Sequence, residues 1–321
     1  MAIFRKLLLT FDSEDFINPN AIFALRKILE ILQKYELKAI FFITGHMAEK
    51  LSNYPHIIEM LKKHEIGFHS SSHSVHPTIP EYTDVKNYKE AYEVSLQRET
   101  SHINPLTGEI EGEGGILFLQ KLFYPKKIQA FRAPGMCWTP PHLEALRDMG
   151  IKYDFSSNIT NSEPIHYRGL TFYPYTFIQQ WSGTTHDYEC LLCSILKNKV
   201  SVFDLHPTLL VNQIEWDFIY YKGNPETLSI VPERSQDETA LLFRNFELLI
   251  KRIKSLQKVG IIDTEPSFNA QSKSLALTIK QVNDCYNASM KWTIKRFNYR
   301  PKFIKNHFYD FFMTLVKGFE W

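Results

Sequence analysis

Short, unbroken apolar runs that end in polar or titratable residues constrain this chain's fold more than any other feature. Leu7-Leu8-Leu9-Thr10-Phe11, Lys38-Ala39-Ile40-Phe41-Phe42-Ile43 and Glu65-Ile66-Gly67-Phe68 show no polar alternation, so each reads as a strand buried on both faces. Between the first two, Asn18-Pro19 offers a capping side chain and an initial proline for a helix. Ile22, Leu25, Ile28, Leu29 and Leu32 then recur at helical spacing. Pro55 to Lys63 supplies a second helix. This β-α-β-α-β rhythm predicts a parallel sheet with helices over it.

Residues 77–128 interrupt the rhythm. Val85, Tyr88, Ala91, Tyr92, Ser95 and Leu96 suggest an amphipathic helix, and the acidic, glycine-rich run from Gly108 to Gly115 is expected to be an exposed loop. The pattern resumes with a strand at Gln129 to Arg132, a helix from Pro140 to Met149 and a strand at Ile151 to Phe155. The polar and aromatic stretch from Asn158 to Gly183 has room for one more. Val200 to Pro207 is a strand ending in His206. A helix from Asp237 to Lys258 turns Leu241, Leu242, Phe246, Leu249, Ile250 and Ile253 inward, and Val259 to Ile262 closes the unit. The expectation is an α/β barrel of seven or eight strands over residues 1–264, with residues 77–128 as an irregular insertion and 265–321 as a helical extension.

The chain of 321 residues carries a net charge of +2, which argues against a nucleic-acid binder. Its first apolar run stops at Asp12 and reads as a strand rather than a signal peptide, and no stretch approaches the ~20 apolar residues that span a bilayer. Four scattered cysteines (Cys137, Cys190, Cys193 and Cys285) suit a reducing compartment. Cys190-Leu191-Leu192-Cys193 reads as two buried thiols on one helical turn.

Two clusters carry the chemistry. His69-Ser70-Ser71-Ser72-His73 spaces two imidazoles to share one metal ion, and Asp12-Ser13-Glu14-Asp15 sets three carboxylates at the end of the first strand. In a parallel barrel the strand C-termini gather at one mouth, where catalytic groups sit. Asp12, Glu14, His69, Arg132, Asp154 and His206 all fall at or just beyond such ends. His76 reads as solvated or as a support, not a third imidazole ligand. Trp138 and Trp181 suit either sugar stacking or core packing.

These motifs resemble the polysaccharide deacetylase family, carbohydrate esterase family 4 with its NodB-homology fold. The pieces stand in order: Thr10-Phe11-Asp12-Ser13-Glu14-Asp15, His69 to His73, Arg132-Ala133-Pro134-Gly135 and Asp204-Leu205-His206. The resemblance implies a distorted (β/α) barrel that hydrolyses N-acetyl or other N-acyl groups on amino sugars with one divalent metal, zinc first among the candidates. It makes Asp12 the base, His206 the acid that protonates the leaving amine, and Arg132 the partner that holds Asp12 ionised. Ser70 would brace the histidine turn. Many relatives place a metal-binding aspartate where this chain has Ser13, so Glu14 is the favoured third ligand with Asp15 in reserve. Relatives usually carry leucine where Asp204 stands. Asp204 shares a strand face with His206, and the expectation is that it orients that histidine; Asp154 is its rival. The family's fourth-motif tryptophan has no clear match. The competing readings are a hydrolase of a formyl or non-sugar amide and a catalytically silent glycan-binding barrel.

In the extension, residues 291–317 mix Lys291, Lys295, Arg296, Arg300, Lys302, Lys305 and Lys317 with aromatic residues and one acid, Asp310. Such a helix suits the headgroup layer of an anionic membrane, or packing on the barrel or a second subunit. The membrane reading would place the enzyme in the cytoplasm at the inner membrane face, acting on a lipid-linked sugar.

Overall fold

The computed structural model describes residues 5–156, 164–173, 185–268, 273–274 and 279–309. Strand β1 (Arg5–Ser13) is followed by β2 (Ile40–Ile43) and β3 (Glu65–Phe68). A separate antiparallel pair, β4 (Ser101–Ile103) and β5 (Ile110–Glu113), comes next. Then follow β6 (Ala130–Phe131), β7 (Tyr153–Asp154), β8 (Ile165–Tyr167), β9 (Leu170–Phe172), β10 (Val200–Leu205), β11 (Ile262–Asp263) and β12 (Lys273–Ser274). The main sheet runs β10-β1-β2-β3-β6-β7-β9-β8-β12, with β11 also on β1. Its pairings are parallel except β8 with β9. Among the described residues no pairing joins β10 to β12, so the sheet curls as a half-barrel.

The unbroken apolar runs are explained by two cores. Leu7, Leu9 and Phe11 of β1, Phe41 and Ile43 of β2, and Phe203 and Leu205 of β10 pack outward under the helices. Leu8, Ile40, Phe42, Ala130, Val200 and Val202, the alternate residues, fill the inside of the curl. Helix Ala21–Lys34 buries Ile22, Leu25, Ile28, Leu29 and Leu32, as their spacing predicts. Helix Gln236–Lys258 buries Phe246, Leu249, Ile250 and Ile253, but Leu241 at its outer edge is 51% exposed.

Local chemistry moved several other expectations. The first helix begins at Ala21, and Asn18 is not its cap: its side chain donates to Asp15 and accepts the Val231 N–H. Strand β11, expected from Val259, starts at Ile262 and leaves Val259 and Ile261 exposed. Cys190 is half-buried and Cys193 exposed, so the pair is not buried as expected. Trp138 is core, packed on Phe172 and Phe308. Trp181, the side chain of Cys285 and most of Asn158 to Gly183 lie outside the described residues.

Residues 77–128 are less detached than their composition suggests. Strand β5 is exposed, but Gly114 and Gly115 are buried. Gly115 has φ +53°, and a Cβ there would lie 2.3 Å from the Glu99 carbonyl oxygen and 2.0 Å from Ser71 Oγ. The excursion is thus closed against the turn that carries the histidines.

The described part of the extension, helix Ile279–Phe297 and helical residues 304–309, packs on the barrel. Thr293, Arg296, Ile304, His307 and Phe308 are buried. Asp84 accepts the Tyr299 O–H and the amides of Lys302 and Phe303. Lys291, Lys295, Arg300, Lys302 and Lys305 remain exposed. Residues 310–321, with Asp310, Lys317 and the terminal aromatics, lie outside the description. Among the described residues no helix is long and apolar enough to cross a membrane.

Candidate active site

Strand alternation builds the site. The inward series that begins with Val200 and Val202 continues with Asp204 and His206. On β1 the series from Leu8 continues through Thr10 and Asp12 to Glu14, and on β6 Ala130 is followed by Arg132. Each series turns from apolar to polar at the C-terminal end of its strand. The sheet register sets Phe11 opposite Leu205 and Phe68 opposite Phe131, which brings these ends together.

The histidines leave β3 through a tight turn in which Ser70 (φ +64°) and His73 (φ +47°) are left-handed. Ser70 Oγ accepts the His73 N–H at 2.9 Å, and buried Glu99 accepts the Ser71 N–H at 2.7 Å. The same Glu99 carboxylate takes Tyr82 O–H and His142 Nε2, so residues of the 77–128 excursion hold the turn. Gly67 makes room for its base, since a Cβ there would meet the Phe42 ring at 2.4 Å.

Glu14 Oε2 lies 2.9 Å from Nε2 of both His69 and His73, and Trp216 Nε1–H donates to Glu14 Oε1 at 2.8 Å. Burial alone would raise the Glu14 carboxyl, but His73, His206 and His69 hold it well below the usual carboxylate range. Glu14, His69 and His73 form a cluster of donor atoms close enough to share one ion. The chemistry of His69 fits a cation there. Its Nδ1 faces the Arg132 carbonyl oxygen at 2.7 Å while its Nε2 faces Glu14. A neutral imidazole has a single N–H, so the gap between Nε2 and the carboxylate takes either a second proton or a cation. A divalent ion held by two imidazoles and one carboxylate would fill it.

Asp15, the reserve ligand, is turned away from this cluster. Its carboxylate accepts the amides of Ile17 and Asn18 and the Asn18 side chain, a local turn that the short aspartate side chain favours. His76 is likewise no ligand: it is fixed between Glu81 and the Tyr220 carbonyl.

Beside the cluster, fully buried Arg132 donates from Nη1 to Asp12 Oδ1 at 2.7 Å and Asp204 Oδ1 at 2.6 Å, and from Nη2 to Thr10 at 2.8 Å. Its guanidinium lies 4.4 Å from the centre of the Phe42 ring. Asp204 therefore hydrogen-bonds to Arg132, not to His206, whose Nδ1 has no hydrogen-bond partner among the described residues. Burial pushes Asp204 up to about 6 against the pull of Arg132. Asp204 still acts on His206 through its charge. Burial works against an imidazolium there, yet Glu14, Asp12 and then Asp204 hold His206 at about 9. Asp154 bonds to Ser156 and is pushed up to about 7 by burial, so it does not orient His206 by contact.

His206 Nε2 stands 3.7 Å from Glu14 Oε2 and 3.9 Å from Asp12 Oδ2. Asp12, Glu14, His69, His73 and His206 line one pocket with Gly135, Met136, Glu215 and Asp217. Sequence reasoning missed Glu215-Trp216-Asp217. Their signal was an aromatic between two acids, ten residues beyond the histidine strand end.

Fold and site together describe a half-barrel of mostly parallel strands with, at its mouth, a cluster of side chains able to hold a cation. The family model for polysaccharide deacetylases matches residues 4–153, a little under half of the chain, and over that segment the likeness to the family is shown. The match includes Asp12, Glu14, His69, His73 and Arg132 but ends before Asp204 and His206. A 4-alpha-glucanotransferase from Thermococcus litoralis shares the fold at a TM-score of 0.50 and 14% identity, over 95% of this chain and 50% of that one. The catalytic domain of a peptidoglycan N-acetylglucosamine deacetylase from Eubacterium rectale is similar at a TM-score of 0.40 and 14% identity, over 84% and 91%. A carbohydrate esterase family 4 pseudoenzyme from Bacillus anthracis gives 0.35 and 14%, over 78% and 63%. No curated protein sequence matches the chain. The family match supports a carbohydrate deacetylase.

Proposed function

We propose that the protein is a zinc-dependent hydrolase that removes the N-acetyl group from an amino sugar in a glycan. The observation that carries this reading is the meeting of three metal donors, a paired aspartate and a histidine in one buried pocket. Glu14, His69 and His73 would hold the ion. When bound, zinc lowers the pKa of water and polarises an amide carbonyl. Arg132 occupies Asp12 Oδ1 and leaves Oδ2 facing the pocket, where it takes the proton of the attacking water. His206 carries a proton at Nε2 and delivers it to the amine nitrogen as the C–N bond breaks. Asp204 shares Arg132 with Asp12, which keeps both carboxylates oriented on one cation.

A membrane-bound, lipid-linked substrate forms no part of this proposal. Arg296 and Phe308, which that reading assigned to headgroups, are buried in the barrel. The test is acetate release from N-acetylglucosamine oligomers by protein loaded with zinc. Release that stops with a chelator supports the proposal. Hydrolysis of formamides or non-sugar acetamides alone would move the protein to another class of C–N hydrolase. Zinc uptake with no hydrolysis of any amide would leave a binding barrel.

A further inference from the structure

The two histidine ligands are oriented by different means. His69 Nδ1 is fixed on a backbone carbonyl at the end of a buried strand. His73 Nδ1 instead donates to Ser74 Oγ at 2.7 Å, and Ser74 Oγ–H donates to Asp217 Oδ2 at 2.8 Å. Asp217 is buried, so its carboxylate needs a counter-charge. That charge is Arg296 of helix Ile279–Phe297, whose Nη2 donates to Asp217 Oδ1 and pairs with Glu215 at 2.9 Å. The guanidinium is itself held beside the rings of Phe218 and Tyr221, at 5.1 and 5.2 Å from their centres.

We propose that Arg296 is a positioning residue of the metal centre, acting on His73 through Asp217 and Ser74. The extension is then part of the site, although it lies far beyond the segment that matches the family. The chain of bonds fixes the proton on His73 Nδ1 and so leaves the Nε2 lone pair toward Glu14. A purely structural Arg296 would anchor the helix without altering how the ion is held. This inference rests on the metal site of the proposed deacetylase.

The test is zinc affinity, measured by competition with a chromophoric chelator, in a double-mutant cycle of Ser74→Ala and Arg296→Met. Each single substitution is expected to weaken zinc by about 10–100-fold, because the outer partners of metal ligands typically carry that much. The double variant should be little weaker than either single one, since both cut the same chain. Arg296→Lys, which keeps the charge but loses the fork, should restore part of the affinity. Unchanged zinc affinity in folded Arg296→Met, or independent losses that multiply, would overturn the proposal. Should Arg296→Met not fold, the cycle is run with Arg296→Lys, and the same non-additivity decides. A wild-type protein that takes up no zinc would remove the deacetylase reading beneath it.

Discussion

Asp12→Asn lowers the rate of acetate release by about 10²–10⁴-fold, the usual worth of a positioned general base, while zinc affinity stays within a few-fold of wild type. The substitution is close to isosteric. Asparagine still accepts from Arg132 Nη1 through its carbonyl oxygen, so the bond now made to Asp12 Oδ1 has a replacement. What is lost is the proton acceptor at Oδ2, the atom that faces His69 at 3.7 Å and His206 at 3.9 Å. Steady-state kinetics with zinc saturating separates this from ligand loss: kcat should fall and the metal titration should not move. A fall of less than about tenfold would place the base elsewhere.

Arg132→Met should destabilise the fold by about 3–5 kcal/mol, the cost of removing one partner from a buried ion pair. Arg132 is 0% exposed and is hydrogen-bonded to both Asp12 and Asp204, which are themselves buried. Methionine would follow the same path over Phe42 without supplying charge. Two buried carboxylates would then lose the guanidinium they share, and their repulsion would favour protonation of one. Urea denaturation at neutral pH measures the loss. A change under about 1 kcal/mol would show that the pair is not held as described, because so small a cost belongs to exposed ion pairs.

Much of the barrel was legible because β1, β2 and β10 are buried on both faces, which forces apolar residues into successive positions. The same alternation made the site legible: Asp12 and Glu14, and likewise Asp204 and His206, lie two apart beyond an apolar inward series. The resemblance alone favours Glu14 over Asp15; the parity separates them physically, since Asp15 falls on the other phase and closes a local turn. The partner of Asp204 was not legible. It depends on Thr10 pairing with Asp204 across the sheet, which lets one guanidinium from β6's end reach both strands. Trp216 and Arg296 were hidden for a related reason. Each reaches the site from an element distant in sequence, and only packing distinguishes a buried arginine from the exposed Lys295 beside it. A basic, aromatic run suits a membrane surface and packing on the barrel alike until one of its charges is seen against Asp217.

The most direct test of the account is anomalous scattering at the zinc edge from crystals of the zinc-loaded protein. The account predicts one strong peak bounded by Glu14, His69 and His73, with Asp12 and His206 at the open side. No peak between the two histidines, or a peak held by Asp15 instead of Glu14, would contradict it.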